Sequence, residues 1–180
     1  MGYSSYWTLT QFTEADAAGY LRALPVLRDV AKRHRTLLVY EHDNSSRRPQ
    51  VGKHGIHLNG RGQDGHETFY FRLPISMTTG NTPHDEPAIR DFTKTASKPY
   101  DMAVSELLLV LWAYMPHLEI DSDGFAGYLD KAEDNPLSAL DGSWPEAIEN
   151  VKRYGIETTV TIAKRRPPYC DLQVEPVLVN

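Results

Sequence analysis

The stretch that most limits what this chain can become is DMAVSELLLVLWAYM, residues 101–115, followed at once by Pro116. After its first turn nearly every residue is apolar, so the helix it predicts has no face suited to water and must be covered on several sides. Asp101 is placed to cap its start, and Pro116 enforces its end. Covering such a helix calls on the rest of the chain, and 180 residues are enough for one domain with a sizeable core. The run at 107–115 is far too short to span a bilayer, so no membrane role is expected.

The flanking segments supply the cover. Residues 6–12 alternate well enough for a strand, with Trp7, Leu9 and Gln11 on one face. Thr13 and Asp16 imitate a capping box, and the helix they start aligns Tyr20, Leu24, Leu27 and Ala31, with a kink or break expected at Pro25. Residues 37–43 read as a strand, 44–50 as an exposed loop, and 55–59 with 67–73 as a hairpin. The stretch 76–99 is punctuated by prolines and reads as loop, with room for a helical turn at 87–92. A short strand is expected at 118–120. Ser143, Pro145 and Glu146 then predict a helix start, Gly155 its end, and Ala147, Ile148, Val151 and Tyr154 its buried face. Residues 156–162 and 172–174 alternate around a turn at 164–168, and Pro176 marks an edge. This order predicts an α+β fold over residues 1–180, a single domain with a mostly antiparallel sheet and about three helices packed on it.

Charge and cysteine content narrow the function. A net charge of −5 argues against broad binding to a nucleic-acid backbone, which requires many neutralised phosphates. Cys170 is the single cysteine, which excludes an internal disulfide and a closed cysteine zinc site and points to a reducing, cytoplasmic setting. The opening residues carry no basic segment followed by an apolar core, so no secretory signal is expected, and Tyr6 stands where a myristoylation pattern needs serine or threonine.

Two stretches carry chemistry. In HGIHLNGRGQDGHETFYFR, residues 54–72, one face of the predicted hairpin is apolar and the other polar. Its G-x-G-x-x-G spelling, residues 60–65, lacks the following helix that a dinucleotide site requires, and the glycines are read as hairpin geometry. The spacing of His54 and His57 turns them to opposite strand faces, so no metal or other cofactor is expected. His57 and Asn59, beside Tyr70 or Arg72, form a polar set able to hold a ligand or move a proton. In TKTASKPYD, residues 93–101, Lys94, Thr95 and Lys98 approach the start of the apolar helix, where free N–H groups favour an anion. Asp121 to Gly124 spells the opening of a calcium loop without its later glycine and glutamate, and is read as a turn.

The segments HGIHLNGRGQDGHETFYF and FTKTASKPYDMAV resemble short motifs in small proteins of unknown function encoded by actinobacterial phages. The resemblance covers roughly the middle third of the chain. It implies a phage-accessory setting in which small proteins bind and redirect host factors, and it transfers no catalytic residue. Two functions therefore stand as expectations. One is a binding protein for a host protein or a small anionic ligand. The other is a small phosphate-handling hydrolase or nucleotide-binding enzyme, with His57 as acid or base, Asn59 orienting, and Lys94 or Arg72 stabilising negative charge. The oligomeric state is left open.

Overall fold

The computed structural model of the chain describes residues 3–41, 47–74 and 89–179. Strand β1 (Ser4–Leu9) leads to Thr13, whose hydroxyl accepts from the Asp16 N–H at 3.3 Å while the Asp16 carboxylate accepts from the Thr13 N–H at 2.9 Å. That reciprocal cap starts helix α1 (Glu14–Arg33), as the sequence predicts. The break expected at Pro25 does not occur, and α1 runs through it. Pro25 and Leu21, four residues earlier, both lie on the exposed side of the helix, where water can take the carbonyl that the ring leaves without a donor.

Strand β2 (Leu38–Val39) is shorter than the expected 37–43, and residues 42–46 lie outside the described ones. A strand not expected from the sequence, β3 (Gln50–Gly52), begins at the last residue of the stretch read as loop and pairs with β4 (Gly55–Gly60). Strand β5 (Phe69–Arg72) completes the predicted hairpin, with His57 opposite Tyr70 and Leu58 opposite Phe69. Ile56, Leu58, Phe69 and Phe71 are buried on its inner face, as the alternation requires. A second correction concerns β6 (Ile89–Lys94), a strand paired with β1 where a loop with a helical turn at 87–92 was expected. The segment carries no alternation that would mark it as a strand: Arg90, Asp91 and Phe92 are all exposed, and only Thr93 is buried. Residues 75–88 lie outside the described ones.

The apolar stretch forms helix α2 (Asp101–Tyr114), in which Ala103, Val104 and every residue from Leu107 to Leu111 are fully buried. It is enclosed by α1, by β7 (Leu118–Ser122) and by the C-terminal elements. Those elements are β8 (Ala126–Tyr128), α3 (Leu129–Asp134), α4 (Trp144–Val151), β9 (Ile156–Arg166) and β10 (Tyr169–Leu178), of which α4 and β10 pack on α2. Gly155, with φ of 71°, ends the turn after α4 as predicted. Pro176 faces an open edge of β10, because β8 pairs only with Tyr169–Asp171.

Two caps predicted from local spacing are replaced by long-range contacts. Asp101 sits inside the first turn of α2, and its carboxylate accepts from the Thr95 and Ser143 hydroxyls instead of capping the helix. Ser143 has a helical backbone and no capping bond, because its hydroxyl is committed to Asp101 and lies 2.9 Å from the Ser105 hydroxyl. The described residues thus form an α+β fold with four α-helices and three antiparallel sheets: β6-β1-β7, β8-β10-β9, and β2 to β5 gathered around β4. Among them no helix is long and apolar enough to cross a membrane.

Candidate functional site

The predicted polar face of the hairpin divides into two environments. His57 lies between two aromatic rings, stacked on Tyr40 with centroids 3.9 Å apart and tilted against Tyr70 at 4.9 Å. Two arginines close the ends of this column. The Arg47 guanidinium sits 3.7 Å over Tyr40, and Arg72 sits 5.0 Å over Tyr70 while its Nε donates to the Tyr70 hydroxyl at 3.0 Å. Glu41 Oε1 is 3.3 Å from His57 Nε2, within ion-pair reach but not aligned for a hydrogen bond. Burial holds the imidazole below its ordinary value, Glu41 opposes that, and Arg47 reinforces it. Burial thus favours the neutral ring, which forms the middle layer of a cation and aromatic stack.

Asn59 does not join that column. It is fully buried, and its amide closes the hairpin loop: Oδ1 accepts from the Gly60 N–H at 2.7 Å and the His66 N–H at 3.1 Å. Its Nδ2 donates to the His66 carbonyl and the Thr68 hydroxyl, both at 3.0 Å. An amide with both ends engaged in this way positions backbone.

Lys94, Thr95 and Lys98 meet the loop end of the hairpin, away from the His57 column along the strands. The Lys94 N–H donates to Glu67 Oε2 at 2.9 Å, and the Lys98 ammonium donates to the Gln63 carbonyl at 3.0 Å. His66 Nδ1 lies 2.8 Å from the Lys94 carbonyl, and the Tyr100 hydroxyl donates to the Glu67 carbonyl at 2.6 Å. Thr95 is buried with its hydroxyl on Asp101, so the start of α2 already holds a carboxylate. The two stretches singled out in the sequence do come together, through contacts that fasten the loop. Among the described residues no group of three or more His, Cys, Asp or Glu side chains could hold a metal ion.

A concave feature lies beside the His57 column, reached through Arg47. A groove of about 860 Å³ opens between the C-terminal half of α1 and the sheet around β4. Arg28, Lys32 and Arg35 line it from α1 and the residues just after it, and Arg47, Arg48 and Arg61 line it from the other elements. A spacing of four residues brings Arg28 and Lys32 to one side of α1, and Arg35 follows just past its end. Ala31, Leu38, Pro49 and Val51 supply apolar surface between the charges, and no described lining residue is acidic. Six of the chain's 19 lysines and arginines thus gather in one place on a chain of net charge −5.

Several of these groups are held in position. The Arg28 Nε donates to the Val51 carbonyl at 3.2 Å, and the Arg61 Nε donates to the Thr36 carbonyl at 3.3 Å, so each reaches across the groove. Arg47 is fixed by its seat on Tyr40. Lys32, Arg35 and Arg48 are exposed and make no side-chain hydrogen bond or ion pair with any described residue. This cluster was missed in the sequence, although its signal was present: a cationic stripe beside the buried stripe of α1, and an Arg-Arg pair in a stretch dismissed as loop. Comparison of the chain with protein-family models, with curated proteins and with solved structures finds no match.

Proposed function

We propose that this chain is a binding protein for a small anionic ligand, taken up in the groove between α1 and the β4 sheet. The observation that carries this reading is the gathering of six cationic side chains around one concavity whose described lining has no carboxylate. Lys32, Arg35 and Arg48 stand close together with no counter-charge among the described residues, and an anion in the groove would relieve the repulsion between them. Arginine is suited to that task, since its planar fork matches phosphate and carboxylate oxygens two at a time. In this reading His57 is a spacer: its ring holds Tyr40, and Tyr40 holds Arg47 at the groove. The hydrolase expectation is less well supported, because Asn59 is committed to the loop and the His57 imidazole is enclosed between two rings. The free, buried Cys170 suits a cytoplasmic setting.

The test is a thermal-shift panel of orthophosphate, tripolyphosphate, citrate and ATP against the intact chain at low salt. Stabilisation by any of them in the wild type, lost in Lys32→Gln/Arg35→Gln/Arg48→Gln and kept in the control Arg22→Gln, supports the reading. No stabilisation by any of the four would overturn it.

A further inference from the structure

We infer that the ligand is a nucleoside polyphosphate held as its metal-free polyanion, an inference that rests on the anion-binding reading above. The first ground is the spread of charge. Arg28 and Lys32 lie one turn apart, about 6 Å along the helix axis, and Arg35 lies beyond the last turn. Arg47, Arg48 and Arg61 face the groove from other elements. One orthophosphate can satisfy a single cluster of donors, whereas cations distributed along and across a groove match several linked phosphates.

Size and apolar surface supply the second ground. A volume of about 860 Å³ falls in the range of small-molecule sites, and a bare phosphate chain would leave much of it to water. Pro49 and Val51 are half-buried beside the cations and offer an apolar strip that phosphates cannot use. A flat, largely apolar base and its sugar can cover that strip while the phosphates reach the guanidinium groups.

Among the described lining residues no carboxylate is placed to hold a metal beside the phosphates. Protein-held magnesium uses carboxylates alongside substrate phosphates, and here the surrounding charge is positive. A divalent ion on the phosphates would cancel the negative charge that the groove is built to receive. Magnesium therefore competes with the protein for the ligand.

The experiment is isothermal titration of the intact chain at low salt with ATP, tripolyphosphate, orthophosphate and adenosine in EDTA, then with ATP in excess magnesium. ATP is expected to bind about tenfold tighter than tripolyphosphate, the gain from covering about 60 Å² of apolar surface. Magnesium is expected to weaken ATP, and Val51→Thr is expected to weaken ATP while leaving tripolyphosphate unchanged. Tripolyphosphate binding as tightly as ATP would overturn the nucleoside assignment while leaving the anion site standing. Tighter binding of magnesium-ATP than of free ATP would overturn the metal-free assignment. Failure of all four ligands would remove the anion site itself.

Discussion

Helix α1 carries one side of the groove, and its position depends on a backbone contact that a single methyl group can test. Gly19 is buried against the last turn of α2. A Cβ added there would lie 2.0 Å from the Tyr114 carbonyl oxygen and 3.0 Å from its carbon. Ordinary carbon to oxygen contact begins at about 3.3 Å, so the two helices would have to separate locally by about 1.3 Å. Glycine to alanine inside a helix otherwise stabilises by about 1 kcal/mol. Overpacking against an element that cannot rotate away costs about 3 kcal/mol, which leaves Gly19→Ala destabilised by about 2 kcal/mol. Urea unfolding followed by circular dichroism and tryptophan fluorescence measures this. Gly52→Ala is the control, because a Cβ there meets nothing within 4 Å. That variant is expected to stay within about 0.5 kcal/mol of the wild type. A Gly19→Ala chain as stable as the wild type, or more so, would refute the described approach of α1 to α2.

Three further outcomes follow from the same contacts. Asn59→Ala leaves the Gly60 and His66 backbone groups without partners and is expected to cost about 3 kcal/mol, with amide exchange accelerated at residues 60–68; a cost below about 1 kcal/mol would contradict its role in closing the loop. His57→Ala removes the middle ring of the stack and is expected to weaken ATP binding about threefold, whereas His57→Phe keeps the stack and restores affinity; equal loss in both would mean that the imidazole itself touches the ligand. The third outcome concerns acid. Burial pushes Asp16 up, but hydrogen bonds from Thr13 and His117 outweigh it and leave the carboxyl lowered. Burial likewise pushes Glu106 up, and His34 and Arg33 outweigh it. Both therefore contribute stability that is present above the unfolded value of about 4 and is lost as pH falls through the folded values. Asp101 is raised by burial against its bonds from Ser143 and Thr95, so its contribution runs the other way, present at low pH and lost as pH rises. Urea midpoints between pH 7 and about pH 3 should fall on the acid side, less steeply in Glu106→Gln and more steeply in Asp101→Asn; parallel curves for all three chains would refute this assignment.

Features set by neighbouring residues were legible in the sequence. The Thr13 and Asp16 cap, the burial of α2, the apolar face of Ile56, Leu58, Phe69 and Phe71, and the turn at Gly155 each follow from local spacing. What local rules misread was decided over long distances. Asp101 and Ser143 each have a capping residue's place, yet they bond to each other across 42 positions. Pro25 is compatible with the helix because of which side faces water, and β6 exists because β1 needs a partner. Of the chosen site residues, His57, Tyr70 and Arg72 do gather, while Asn59, Thr95 and Lys98 are committed to fastening the loop and the start of α2. The groove cations were invisible as a group, since Arg28 and Arg61 meet only when α1 is laid against the β4 sheet.

The most direct measurement of the central claim is the affinity of the intact chain for ATP in EDTA, compared with that of Lys32→Gln/Arg35→Gln/Arg48→Gln. These three side chains are exposed and bond to no described residue, so the fold should survive their loss of charge. Taking about 0.7 kcal/mol for each exposed charge contact, affinity should fall about thirtyfold in the variant, from a one-to-one complex in the wild type. Equal affinity in the two chains, with unchanged unfolding midpoints, would contradict the assignment of the groove as the binding site.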